Sequence, residues 1–363
     1  VKLGENIGGF TVVAEPTNSG GGRCVWSFAE RGGRDYFIKQ FLDPKWPTDE
    51  SMGSPASKAR RRAVCLEFEK RHKEVNRRIS GKVAGGGNLV TATAFFREGT
   101  TYYKVTDRVA AEAAKDLTEL SDRQTLVVLR TLFQSMKLLH RAGIVHGDLK
   151  PANVLLQRSS GADLFTAKMI DFDDSYLSGD PPPPDQIVGD QLYGAPEWLR
   201  YVKEDPEIAA EHLTLASDIF ALGLMTHVYL VGEMPGYDRG RFGAPSQAVW
   251  AGEPLVLSGQ LHPKTRDLIA RMVSADHAAR PSIEEIITVF QDEKVVKIGG
   301  HTVPPIPAPA PAPVGGGAGS GAGPAGGRVK INMKSEPKPA VPAPARPADA
   351  PPSRVRINFD TKK

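Results

Sequence analysis

His146-Gly147-Asp148-Leu149-Lys150-Pro151-Ala152-Asn153 separates a stretch of helical texture ending near Arg141 from an apolar, strand-like run, Val154-Leu155-Leu156. Within this short loop stand a carboxylate, a cation two residues on and an amide five residues on. Phosphoryl transfer asks for such groups: a carboxylate to hold an acceptor hydroxyl, a cation on phosphate oxygens, and oxygen ligands for a metal. The competing reading is a helix-to-strand connector with polar turn residues.

Working outward, Met169-Ile170-Asp171-Phe172-Asp173 follows, with Asp171 eighteen residues after Asn153. Further on come Tyr193-Gly194-Ala195-Pro196-Glu197, the apolar run Ser217-Asp218-Ile219-Phe220-Ala221-Leu222-Gly223, and Ala279-Arg280-Pro281-Ser282. Taken in this order the segments resemble the eukaryotic-like protein kinases found in bacteria. The resemblance covers roughly residues 8–292. It implies an α+β, two-lobed protein-kinase-like fold with a β-rich N-lobe and a helical C-lobe. It also implies catalytic roles for Asp148 (base and positioner) and Lys150 (γ-phosphate), and Mg²⁺ or Mn²⁺ ligands in Asn153 and Asp171. Asp218 then anchors the loop backbone around His146, and Glu197 pairs with Arg280.

Upstream, Phe10 to Val13, Val25 to Phe28 and Tyr36 to Lys39 read as strands separated by Gly-rich turns. Lys39 closes the third of these and resembles the lysine that contacts the α- and β-phosphates of ATP. Its partner is expected on the charged helix read over 57–79, where Glu67, Glu69 and Glu74 all qualify. Glu69 is favoured, because its neighbour Phe68 shares helical spacing with Val64 and Val75. Counting back from Lys39 puts the phosphate loop on Gly20, Gly21 and Gly22, with Cys24 at the usual valine position; a plain hairpin turn is the competing reading. Phe37 replaces the usual alanine, which suggests an exchange of volume with Cys24 around adenine. Thr106, Asp107 and Val109 fit the hinge, Thr106 lining the back pocket, and Leu155 completes the expected ATP-binding set.

The departures from the family bear on regulation and specificity. Gly147 stands where an arginine usually precedes the catalytic Asp, so the activation segment has no arginine there to pair with a phosphate. Asp173 replaces the usual glycine, and Asp190 occupies a stretch where Ser/Thr kinases usually carry a threonine. His-Gly-Asp is also the spelling of small-molecule kinases, whereas Lys150 and Ala-Pro-Glu favour a protein substrate. The expected function is ATP-dependent phosphorylation of a protein hydroxyl, Ser or Thr. A nucleotide-binding pseudokinase scaffold and a small-molecule phosphotransferase are the alternatives.

The full chain has 363 residues and a formal net charge of +4. Residues 303–363 hold nine Lys/Arg against three Asp/Glu, which leaves the rest at about −2. The basic pI of 8.9 therefore belongs to the tail and does not argue for nucleic-acid binding by the folded part. Two cysteines, Cys24 and Cys65, suit a reducing, cytoplasmic setting, not a disulfide framework. No signal peptide opens the chain, and its start at Val1 suggests trimming. The most apolar run, Ile219 to Val231, is too short to span a bilayer.

The domain reading is a catalytic domain over 1–298 (N-lobe about 1–106, C-lobe about 107–298), followed by a disordered, basic Pro/Ala/Gly-rich tail over 299–363. In the tail, Arg328-Val329-Lys330-Ile331-Asn332-Met333 and Arg354-Val355-Arg356-Ile357-Asn358-Phe359 repeat one alternating phrase. Each suits strand addition to a partner's sheet edge; chance repetition with solubilising charge competes. Phe37 to Pro47 and Gly85 to Val90 are also similar to kinases found with tellurite-resistance phosphatases and von Willebrand A-domain proteins, which implies such a partner.

Overall fold

The computed structural model describes residues 1–19, 24–81, 88–110, 120–159 and 163–297. The expected phosphate-loop residues Gly20, Gly21 and Gly22 lie outside the described residues, as do the tail and its two repeated phrases.

Six strands, β1 (Asn6–Ile7), β2 (Phe10–Val12), β3 (Cys24–Arg31), β4 (Arg34–Phe41), β5 (Ala92–Glu98) and β6 (Thr101–Asp107), form one antiparallel sheet in the order β1-β2-β3-β4-β6-β5. Lys39 thus lies in the fourth strand, not the third. The difference is the short β1, whose two residues carry no alternation a sequence reading could use. The β3–β4 register is set by Gly32 and Gly33, which take φ of +60° and +73° in a two-residue hairpin turn. Positive φ at both centres matches the right-handed twist of the strands, and glycine adopts it at little steric cost.

That register sorts the side chains. Cys24, Trp26 and Phe28 lie opposite Phe41, Lys39 and Phe37, and Lys39 and Phe37 lie opposite Lys104 and Thr106. All of them share one face. On the other face Ile38, Ala29 and Val105 pack with Ile7, Phe10, Val12 and Tyr103.

Helix α1 (Pro55–Ser80) begins where Ser54 accepts a hydrogen bond from the Ser57 amide and Pro55 takes the first helical position. Its buried stripe is Cys65, Phe68, His72, Val75 and Ile79, at three- and four-residue spacing. Cys65 and Phe68 join Cys24, Phe41 and Tyr102 under the sheet, whereas Val75 and Ile79 join the core of the helical lobe. His72 lies between the two clusters.

The helical lobe comprises α2 (Asp122–Arg141), α3 (Pro196–Val202), α4 (Leu215–Val231), α5 (Pro245–Trp250), α6 (Pro263–Met272) and α7 (Ile283–Val289). Two small antiparallel pairs lie at its upper edge, β7 (Ile144–Val145) with β10 (Tyr176–Leu177), and β8 (Val154–Arg158) with β9 (Phe165–Met169). Helix α2 starts from a reciprocal capping box between Ser121 and Gln124. Helix α4 is buried from Ser217 to Leu230, which accounts for its apolar sequence. Among the described residues no helix is long and apolar enough to cross a membrane.

Candidate active site

The loop after β7 is held from below. Asp218, in the first turn of α4, accepts from the amides of His146 (2.8 Å) and Gly147 (3.3 Å) and lies 3.2 Å from His140 Nε2. Gly147 has φ of +80°, and a Cβ there would stand 2.5 Å from the Asp174 carbonyl oxygen. Backbone packing against the Asp171–Asp174 segment therefore accounts for the glycine. The His146 ring touches that segment too, with Nε2 3.2 Å from the Ile170 carbonyl and its centroid 5.2 Å from that of Phe172.

On this support Asp148, Lys150 and Asn153 converge. Lys150 Nζ donates to Asp148 at 3.0 Å and lies 3.3 Å from Asp190 Oδ2. Burial works to lower the Lys150 ammonium, but Asp148 and Asp190 outweigh it and raise its pKa. Asn153 Nδ2 donates to the Asp148 carbonyl (2.7 Å) and to its Oδ2 (3.0 Å). With its nitrogen so engaged, the Asn153 amide oxygen is the atom left to serve as a ligand.

Across the cleft Lys39 Nζ donates to Asp171 Oδ1 and to Asp173 Oδ2, both at 2.8 Å. The second Asp173 oxygen takes Lys104 Nζ at 2.6 Å. Burial opposes charge on Lys39, yet Asp173 and Asp171 hold its ammonium above the ordinary lysine range. Burial likewise works to raise Asp173, but Lys104 and Lys39 keep it well below the carboxylate range. Asp171 moves the other way, raised by burial and by the Asp173 charge beside it. Asp174 is pushed up to about 7 by burial and by Asp173, Asp148 and Asp171. Asp171 itself sits at φ of +64°, a conformation that aspartate tolerates better than most residues. One carboxylate and one amide oxygen, Asp171 and Asn153, are donors of the kind a hard cation takes, and these two residues would hold it.

The structure thus brings Lys39, Asp148, Lys150, Asn153 and Asp171 to one cleft. Glu69 does not join them. Its carboxylate accepts from Tyr102 Oη and Lys73 Nζ, each at 2.8 Å. Neither alternative replaces it: Glu67 lies 3.8 Å from Lys70, and Glu74 holds Arg77 and Arg78. The physical reason is rotational. The stripe of α1 that faces the cleft carries His72, and the three glutamates fall off it. The imidazole sends Nδ1 to the Phe68 carbonyl at 2.9 Å, and Nε2 has no hydrogen-bond partner, standing 3.8 Å from Asp173 Oδ1. Asp173, Lys104 and His72 were therefore missing from the expected set. The i, i+4 relation of His72 to Phe68 was the signal available for one of them.

The adenine region also differs from expectation. Phe37 packs on Trp26 and Phe28, with ring centroids at 5.2 and 6.3 Å. Cys24 instead packs with Phe41, Cys65, Phe68 and Tyr102. The two do not trade volume with each other, because they lie four residues apart along the β3–β4 register. Thr106 and Leu155 are half-buried, and Asp107 and Val109 lie where β6 ends.

Farther from the cleft, Arg280 donates to both Glu197 oxygens at 2.7 and 2.8 Å, joined by Ser217 Oγ at 2.8 Å. This is the pair expected between the Ala-Pro-Glu segment and the late arginine.

The family profile described as the protein kinase domain matches residues 63–289. The chain belongs to the protein kinase family. It is similar to a probable myosin light chain kinase of Dictyostelium discoideum (30% identical over 156 residues, 42% of this chain and 48% of that protein). A serine/threonine-protein kinase of Drosophila melanogaster is 30% identical over 208 residues, 52% of this chain and 25% of that protein. Calcium-dependent protein kinase 34 of Arabidopsis thaliana is 29% identical over 187 residues, 50% of this chain and 32% of that protein. The matches thus span between a quarter and a half of those relatives' length. Among solved structures, the PK-1 kinase of Cydia pomonella granulovirus shares the fold at a TM-score of 0.52 and 18% identity, over 78% of this chain and 94% of that one. The profile match begins inside α1, so β1 to β4 and Lys39 lie ahead of it.

Proposed function

We propose that this chain is an ATP-dependent kinase that transfers the γ-phosphate of Mg-ATP to a serine or threonine hydroxyl of a protein. The observation that carries the reading is the convergence of Asp148, Lys150 and Asn153 in one loop, facing Asp171 and Lys39. Asp148 orients the acceptor hydroxyl and takes its proton. The hydroxyl oxygen attacks the γ-phosphorus, the bond from that phosphorus to the β–γ bridging oxygen breaks, and ADP departs with its electron pair. Lys150 neutralises charge on the moving phosphoryl group, and Lys39 holds the α- and β-phosphates. Asp171 and Asn153 would hold Mg²⁺, which would supply charge neutralisation at the phosphate oxygens.

A protein acceptor is favoured over a small alcohol by the Glu197–Arg280 pair, which fixes the segment from Asp190 to Glu197 beside the catalytic loop. Preference for Ser or Thr rests on the relatives. The presence of Lys39, Asp148, Asn153 and Asp171 argues against a pseudokinase. We assign catalysis to residues 1–298 and treat 299–363 as a separate, partner-binding part. A cytoplasmic setting goes with Cys24 and Cys65, both buried free thiols. A phosphatase or von Willebrand A-domain partner rests on the sequence resemblance alone.

The test is incubation of the pure protein with radiolabelled ATP and Mg²⁺, alone and with generic protein or small-alcohol acceptors, with phosphosites located by mass spectrometry. Label on Ser or Thr of protein is the expected result. Bound ATP without transfer identifies a scaffold, and label only on the small alcohol identifies the other kinase class.

A further inference from the structure

The family resemblance leads one to expect Lys39 to be held by a carboxylate from α1, and that carboxylate is not there. In the position facing the cleft the helix presents His72, while Glu67, Glu69 and Glu74 are engaged elsewhere on its surface. We propose that Asp173 takes over the counter-charge that positions Lys39, so that the nucleotide lysine is held from the metal-binding segment and from Lys104 rather than from the helix. This inference rests on the kinase reading above and names a further positioning residue for that reaction.

Four observations converge on it. First, the Asp173 carboxylate is divided between two ammoniums, Oδ2 to Lys39 at 2.8 Å and Oδ1 to Lys104 at 2.6 Å. A carboxylate with both oxygens so used serves as a counter-charge. Asp171 is different, giving one oxygen to Lys39 while its side chain stays 33% exposed against 12% for Asp173.

Second, the cations and carboxylates are paired within one set. Lys39 and Lys104 face Asp171 and Asp173 in a largely buried space, and the Asp174 carboxyl, pushed up to about 7, is close enough to feel Asp171, Asp173 and Lys39. Lys104 lies directly opposite Lys39 across β4 and β6, so the second lysine is delivered by strand register. Without Asp173, Lys104 would be a buried cation lacking its partner, a costly arrangement. Without Lys104, Asp173 would stand beside Asp171 as a like charge. Asp173 and Lys104 thus make physical sense as a pair.

Third, His72 completes the exchange. Its Nδ1 faces the Phe68 carbonyl and so carries a proton, while burial, which lowers the ring's pKa to about 3, keeps Nε2, 3.8 Å from Asp173 Oδ1, without a second one. A glutamate at 72 would place a third buried carboxylate against this one, so a helix without an acid here is what Asp173 demands. Fourth, Asp173 is two residues from Asp171, and Phe172 between them is buried against His146. One short segment thereby sets both the metal-binding carboxylate and the lysine. Movement of α1 would leave the lysine in place.

The experiment compares four full-length proteins by ATP-dependent steady-state kinetics on one protein acceptor, each checked by thermal unfolding: wild type, D173G, D173G/K104M, and D173G/K104M/H72E. D173G restores the residue usual in the family, K104M removes the orphaned cation in case D173G alone fails to fold, and H72E returns a carboxylate to the helix. D173G and D173G/K104M are each expected to lose about a hundredfold in kcat/KM for ATP, the scale of a misplaced reacting group, with acceptor KM unchanged. H72E in the double variant should recover about tenfold or more, by offering Lys39 a carboxylate from α1. A fall in ATP efficiency with recovery by H72E is a signature that a merely structural role would not give. Wild-type efficiency in D173G overturns the inference, as does a triple variant that recovers neither fold nor turnover. If the wild type itself binds ATP and transfers nothing, it is the kinase reading beneath that falls.

Discussion

Two ion-pair centres in this molecule use the same chemistry to different ends. At Glu197–Arg280 the carboxylate is met by both guanidinium nitrogens and by Ser217, while the arginine also donates to the carbonyls of Ala216 and Ser274. The two side chains are 3% and 0% exposed. Every group is satisfied, and nothing opens onto a ligand. At Lys39 the cluster of two lysines and two aspartates borders the cleft, and its carboxylates are pushed apart, Asp171 up and Asp173 down. The first centre ties α3 and α4 to the chain before α7. In the proposed function, the second exchanges partners with a nucleotide and its cation. A closed pair stabilises, whereas an open one holds chemistry ready.

The sharpest way to break this contrast is to remove one cation from each centre. Arg280→Met should destabilise the protein by about 3–5 kcal/mol in denaturant unfolding, because it strands a buried carboxylate. Lys39→Met should cost clearly less stability, since Lys104 still neutralises Asp173, while turnover falls about a hundredfold. Equal stability losses would erase the distinction between the two centres.

Next in size is Asp171→Ala. It should weaken ATP binding in the presence of Mg²⁺ and leave binding without Mg²⁺ little changed, measured by calorimetry. Identical metal dependence in wild type and variant would remove Asp171 from the cation site.

A smaller effect comes from His72, whose pKa burial lowers from 6.5 to about 3 against the opposing pull of Asp173. The unfolded chain takes up a proton below about pH 6.5 and the folded one does not, so stability falls with acid through the window from 6.5 to about 3. The contribution is at most about 1.4 kcal/mol per pH unit. His72→Gln should flatten that part of the profile. An unchanged slope would mean that His72 charges in place.

The smallest expected effect is none. Phosphatase treatment should leave activity unchanged, because Gly147 offers no cation, and Ser175 and Tyr176 are each 1% exposed. Ser178 is exposed and remains a site to check. A large loss on treatment, restored by rephosphorylation there, would show that another basic residue receives the charge.

The two centres also differ in how far they could be read from residues alone. Glu197 with Arg280, and Asp218 with the His146 backbone, were legible through the protein-kinase resemblance of the segments that carry them. Within the catalytic loop, Asp148, Lys150 and Asn153 are near neighbours, so spacing alone brought them together. The partner of Lys39 depends on helix rotation and strand register across separate elements. A glutamate-rich helix offered three wrong answers, while the apolar stripe ran through Cys65, Phe68, His72, Val75 and Ile79. Lys104 could be placed only once Gly32 and Gly33 fixed the hairpin and β6 was paired with β4.

The central claim is that Asp148 serves the acceptor while other residues bind the nucleotide. Asp148→Asn keeps the size of the side chain and removes the base. Turnover and ATP affinity measured on the same preparation separate the two roles. Phosphate transfer is expected to fall by about a hundredfold or more with ATP affinity close to wild type. A variant that transfers phosphate at the wild-type rate would contradict the assignment.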